Sequence, residues 1–122
     1  MRRDSSDLKW KEVKEKVFKR DKNCRLCQIL TSLEFLILRK NAGSMIDCLD
    51  PAHYIAVSKR PDLCYKSYNI CALNHYSHSM LDDCKDPIDG HSISEKEVQN
   101  WWNRILKGNP IQYDYLKKLD LI

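Results

Sequence analysis

The feature that most limits what this chain can become is the contrast between its two periodic ends and its broken middle. Near the front, Leu8, Trp10, Val13, Val17 and Phe18 recur at spacings of three and four among lysines and glutamates, which predicts an amphipathic surface helix over 7–20. Near the back, Ser94 and Glu97 form a capping box ahead of Val98, Trp101, Trp102, Ile105 and Leu106, which predicts a helix running to Lys107, where Gly108 and Pro110 end it. A last short helix is expected over 113–119, so the helical tail covers about 93–119. The two tryptophans fall on the apolar side of their helix, a position that favours the core over base stacking.

The middle sustains no such period. Residues 33–38 read either as a buried strand or as a helix capped by Thr31 with Glu34 three residues on. From Met45 to Val57, β-formers interrupted by Pro51 predict two short strands around His53. A helix is expected from about Asn74 to Asp83, stopped by Pro87 and Gly90. At 122 residues, without internal repeats, the chain reads as one α+β domain.

Charge narrows the partner. The formal net charge is +4, and residues 1–27 hold ten Lys/Arg against five Asp/Glu while the remainder holds eleven against twelve. A basic front on a balanced body suits a polyanion, because lysine and arginine contacts to phosphates dominate nucleic-acid affinity. Lys9, Lys11, Lys14, Lys19 and Arg20 are therefore candidates for contacting a DNA backbone; the competing reading is a solvated lysine-rich helix face. No apolar run approaches the roughly 20 residues that span a bilayer, and the charged N-terminal stretch lacks the apolar region of a secretory signal, so a cytoplasmic setting is expected. In such a compartment the six cysteines read as free thiols or metal ligands, and only Cys24 and Cys27 have ligand spacing.

The chemistry-bearing residues lie at His53, Asn69, His78 and Asp82, with Asn69 sixteen residues after His53 and His78 nine after Asn69. Asp50-Pro-Ala-His53-Tyr-Ile, followed by Tyr68-Asn69-Ile and then His78-Ser-Met-Leu-Asp82, resembles the His-Asn-His nuclease motif of the ββα-metal superfamily. The upstream Cys24-x-x-Cys27, following an amphipathic helix, matches where many such nucleases begin. The resemblance covers roughly residues 10–85, and beyond it the Trp-rich helix looks like the tails of phage and bacterial members. It implies a ββα-metal core over about 45–84, flanked by the N-terminal basic helix and the C-terminal helices. It also implies hydrolysis of DNA phosphodiester bonds to products bearing 5′-phosphates.

Elementary chemistry supports the same roles. Hydrolysis of a phosphodiester near neutral pH needs a proton acceptor for water, a cation to stabilise developing charge, and a group that orients the acceptor. An imidazole with an ordinary pKa near ~6.5 suits the first task, which assigns His53 as general base. His78 and Asp82, four residues apart on an expected helix, project from one face and can share an ion. Asn69, by resemblance, orients His53. Mg²⁺ or Mn²⁺ fits a mixed imidazole and carboxylate site, and Ni²⁺ or Zn²⁺ are transition-metal alternatives.

Two departures from the family pattern stand out. The residue before the first His, often a metal ligand in the family, is Ala52, so that ligand is either missing or replaced by Asp50. Where zinc-binding members carry a second Cys-x-x-Cys, this chain has Asn74 and Ser77, so a structural zinc on Cys24 and Cys27 would need to recruit Cys71, Cys48, His75 or Cys84. His75 and His91 read as exposed residues without a catalytic role. Two rival functions follow from these departures: a catalytically degenerate module of the same fold that binds nucleic acid or protein, and a zinc-knuckle interaction module.

Overall fold

A computed structural model describes residues 5–122, with side chains from Leu8 onward; the charges of Arg2 and Arg3 lie outside the described residues. The chain forms α1 (Ser5–Asp21), α2 (Ser32–Ala42), β1 (Leu49–His53), β2 (Ile70–Asn74), α3 (His75–Asp82), α4 (Glu95–Lys107) and α5 (Pro110–Lys118), with short 3-10 turns between them. It is an α+β domain in which helices surround one two-stranded antiparallel sheet.

Local chemistry explains most boundaries. In α2 the Thr31 side chain accepts from Glu34 N while Glu34 accepts from Thr31 N, so the capping box decides between strand and helix in favour of helix. Ser94 and Glu97 do the same for α4. The expectation of two strands around His53 is half right. Residues 43–47 form a 3-10 turn, leaving β1 alone near His53, and its partner is β2, which pairs with it antiparallel so that His53 faces Ile70 and Asp50 faces Leu73. α3 ends at Asp82, before Pro87 and Gly90, because Cys84 turns the backbone left-handed at φ 55°.

The sheet has two different faces. On one, Ile70 and Ala72 pack with Val17 beneath the apolar side of α1. On the other, Ala52, Cys71 and Leu73 join Leu81, Trp102, Ile105 and Leu106 in the main core. Trp102 is buried, as its position on α4 suggests, and Trp101 is half-buried with the Arg104 guanidinium over its ring at 5.0 Å.

A buried polar hub ties these layers together. Arg25 donates to Asp21 Oδ1 at 3.2 Å, to Gln112 Oε1 at 2.6 Å and to the carbonyl of Ile105 at 3.0 Å, while Asp21 Oδ2 accepts from Ala72 N at 2.9 Å. The ends of α1, α4 and α5 and the middle of β2 thus meet on one guanidinium. Among the described residues, every buried side-chain nitrogen and oxygen has a partner.

Replacing Arg25 with Ala should lower unfolding free energy by about 3–5 kcal/mol in urea titrations, the range for removing one member of a buried ion pair. A loss under 1 kcal/mol would show that Arg20 alone satisfies Asp21. At the surface, the Arg104 guanidinium holds Glu34 down to about 2. A depressed carboxyl contributes stability above its unfolded pKa of about 4.3 and loses it as pH falls toward the folded value. Glu34→Gln should therefore flatten the acid side of the stability profile between pH 4 and 2, with little change at pH 7 relative to its own acid limb.

Candidate active site

His53 closes β1 on the α1 side of the sheet. Its ring stacks on Trp10 at 5.4 Å between centroids and 12° between planes, and Lys14 Nζ lies 5.7 Å from the centroid of that indole. His53 Nε2 lies 3.0 Å from the carbonyl oxygen of Cys64. A carbonyl only accepts, so Nε2 is the donor, and in the neutral tautomer this leaves Nδ1 as the acceptor. That is the proton inventory a general base requires. Trp10 escaped the sequence reading because its helical spacing marks it only as an apolar position.

Asn69, fully buried at the start of β2, clamps the connection that follows His53. Its Oδ1 accepts from Ile55 N at 2.8 Å and its Nδ2 donates to Ile55 O at 3.0 Å, while Tyr54 N donates to the Asn69 carbonyl at 2.8 Å. A side-chain amide carries its acceptor and its donor side by side, so it satisfies the Ile55 N–H and C=O together. The backbone leaving His53, and hence the carbonyl at Cys64 that orients its ring, is held through that clamp.

β2 runs directly into α3, and this brings Asp50, His75, His78 and Asp82 together. Asp50 Oδ2 lies 2.7 Å from His75 Nδ1 and 2.9 Å from His78 Nδ1. On the other side of the same ring, His78 Nε2 lies 3.4 Å from Asp82 Oδ2. Burial opposes ionisation of Asp50, but hydrogen bonds from His78 and His75 outweigh it and hold the carboxyl below its usual range. His75, read from sequence as a bystander, is thus part of the cluster; the His75-x-x-His78 spacing on one helix was the available signal.

The two carboxylates address opposite nitrogens of His78. A single ion cannot be bound by both, so the expectation that His78, Asp82 and Asp50 share one metal needs revision. Because Asp50 can only accept, His78 Nδ1 is the donor to it, and Nε2 is the ring nitrogen turned toward Asp82, where a cation would take the place of a proton. Donors about 2.1 Å from a common cation stand roughly 3.0–3.4 Å apart, so the Nε2 to Asp82 spacing and its mixed N/O chemistry fit a divalent ion. Asp50 then stands as the carboxylate behind a metal-binding histidine, an arrangement that fixes tautomer and ring orientation.

A cleft of about 460 Å³ contains His53, Lys59, Asp82, Glu95 and Gln99 in its lining. It brings the candidate base and a candidate metal ligand to one space and adds Lys59, a cation that sequence reasoning missed. Ala52, where the family pattern often has a ligand, is fully buried in the main core, so position 52 does not open on this cleft. A larger cleft of about 780 Å³, lined by Arg20, Tyr68, Gln112 and Tyr115 among others, lies elsewhere.

Of the proposed backbone contacts, Lys9, Lys11 and Lys19 are exposed and Lys14 is half-buried against Trp10. Arg20 differs from expectation. It donates to both oxygens of Asp21 and to the carbonyls of Ser67 and Ile70, so the guanidinium is engaged inside the fold. Asp86, Asp89 and His91 also bring ligand atoms within 4.8 Å of one another. Their oxygens already cap a turn, accepting from the backbone of Ile88, Asp89 and His91.

A structural zinc does not fit the Cys24 and Cys27 corner. Cys24 Sγ accepts from Asn74 N at 3.2 Å and from Asn74 Nδ2 at 3.4 Å, and the same amide lies 4.0 Å from Cys27 Sγ and 2.9 Å from Ser77 Oγ. Cys71 instead contacts Gln112, and Cys48 points to the Ser44 carbonyl. The positions a third and fourth ligand would take are filled by an amide and a hydroxyl bonded to each other.

Asn69→Ala should leave the Ile55 N–H and C=O without partners and destabilise the protein by about 1–3 kcal/mol. Amide exchange should accelerate through residues 54–68 before it does in α4; uniform acceleration would refute a local clamp. No family model, curated protein or solved structure matches this chain.

Proposed function

We propose that this protein is a metal-dependent endonuclease that hydrolyses DNA phosphodiester bonds. The observation that carries this reading is the placement of His53: Nε2 held 3.0 Å from the Cys64 carbonyl, which leaves Nδ1 as the acceptor of the neutral tautomer, in a cleft shared with Asp82. His53 Nδ1 accepts a proton from a water as that water's oxygen attacks phosphorus. Trp10 keeps the imidazole plane fixed by stacking, and Asn69 keeps the following backbone in place. Lys59 offers positive charge to the phosphate within the cleft, and Lys9, Lys11, Lys14 and Lys19 attract the backbone from α1. Asp50 orients His78, and Nε2 with Asp82 are the groups that would hold a cation. A divalent ion, Mg²⁺ or Mn²⁺ with Ni²⁺ or Zn²⁺ as alternatives, would stabilise negative charge on the phosphorane and the leaving oxygen.

A second reading, a non-catalytic module of the same fold that binds DNA, is favoured by position 52 being a buried alanine, which offers no ligand beside His53. Among the described residues, no helix is long and apolar enough to cross a membrane.

Cleavage of supercoiled plasmid with Mg²⁺, Mn²⁺, Ni²⁺ or EDTA separates the two. Metal-dependent nicking should fall by about 100-fold or more in His53→Ala, the lower end of a general base's contribution. Asp82→Asn should raise the metal concentration required, and Asp50→Asn should do so more weakly. Wild type and His53→Ala equally inert with every metal, while both bind DNA, would transfer the assignment to the binding module.

A further inference from the structure

Cys24 and Cys27 take no part in the chemistry proposed above, and they do not fit a zinc site. They are one turn apart where α1 gives way to a helical turn closed by the Gln28 N to Cys24 O bond at 3.2 Å. Cys24 is buried and Cys27 half-buried, and both line an open cleft of about 510 Å³ that also contains Arg39 and Asp47. Both sulfurs lie within reach of the Asn74 amide, and the Asn74 side chain is the N-cap of α3, accepting from Ser77 N at 2.8 Å.

We infer that Cys24 and Cys27 form a reversible oxidation site, a dithiol that a hydroperoxide converts to a disulfide, and that this conversion is felt at the start of α3. The donors around Cys24 are arranged to stabilise a thiolate: Asn74 supplies a backbone N–H at 3.2 Å and a side-chain N–H at 3.4 Å. In agreement, the Cys27 hydrogen bond lowers Cys24 to about 6 against the opposing effect of burial. That same bond, with burial, raises Cys27.

The chemistry balances with a hydroperoxide as the oxidant. The Cys24 thiolate attacks the terminal oxygen of hydrogen peroxide, the O–O bond breaks, and Cys24 sulfenic acid and hydroxide result. Hydroxide takes the Cys27 proton to give water. The Cys27 thiolate then attacks the Cys24 sulfur, the S–S bond forms, and the S–O bond breaks to release hydroxide. One thiolate, one thiol and one peroxide become one disulfide, one water and one hydroxide.

The consequence follows from the acceptor lost. A disulfide sulfur carries no negative charge, so both Asn74 donors lose the stronger acceptor that charge provides. Asn74 is the residue that joins β2 to α3, and His75 and His78 occupy the first turn beyond it. Oxidation therefore loosens the first turn of α3.

The test uses the full chain, hydrogen peroxide as probe, and readouts that do not involve DNA cleavage, so it stands or falls apart from the nuclease reading. Tryptic digestion of the oxidised protein should yield Asn23–Arg25 linked to Leu26–Arg39, a link that dithiothreitol removes and that Cys27→Ser abolishes. Amide exchange over residues 75–78 should rise by roughly 10-fold on oxidation, as local opening becomes easier. Exposed Cys48 oxidising while Cys24 and Cys27 stay reduced would overturn the site, as would stoichiometric zinc that survives EDTA. A disulfide that forms without any change in exchange at 75–78 would overturn the coupling to α3.

Discussion

The structure depends on one guanidinium taken out of water. Arg25, between the two knuckle cysteines, is buried against Asp21, Gln112 and the last carbonyls of α4. A charge at that depth is tolerable only when nearly every donor has a partner, so the ends of three helices must arrive together with β2. The hub therefore does more than add stability. It selects a relative placement of α1, α4 and α5 that apolar packing alone, being non-directional, leaves open.

That placement is what makes the two sides of a thin sheet usable. Two strands of five residues have little independent stability, and here α1 covers one face while α3 and α4 cover the other. His53 faces α1 and stacks on Trp10, whereas Asp50 faces the opposite side and meets α3. The candidate base and the candidate cation ligands are thus fixed by different layers, and Asp82 is the ligand that reaches the cleft lined by His53. Asn69 serves this arrangement from the turn just ahead of β2, replacing strand pairing by two side-chain hydrogen bonds where the chain departs after His53.

At the knuckle, hydrogen bonds do what a metal does in a four-cysteine site. Asn74 and Ser77 have the spacing of a second ligand pair, and their bonds to each other and to Cys24 join the α1 turn to the N-cap of α3. A hydrogen-bonded corner holds the same two segments together without a metal on either sulfur. Ser77 Oγ extends the link to the Pro87 carbonyl at 2.8 Å and so fastens the loop after α3 as well.

By itself, the sequence determined the parts whose causes are local. Apolar period and capping boxes mark α1 and α4, and Ser94 and Glu97 act as their spacing requires because a cap involves only one turn of chain. The order His53, Asn69, His78, Asp82 was legible because each residue type carries its chemistry with it. Register and direction were not legible. That β1 pairs with residues 70–74, that His78 turns opposite nitrogens to Asp50 and Asp82, that His75 joins them, and that Arg20 turns inward all depend on segments distant in sequence. Spacing along a chain specifies which side chains share a face. Only packing between faces decides which atom of each side chain meets which partner, because that choice is made by the burial and hydrogen-bonding needs of every segment at once.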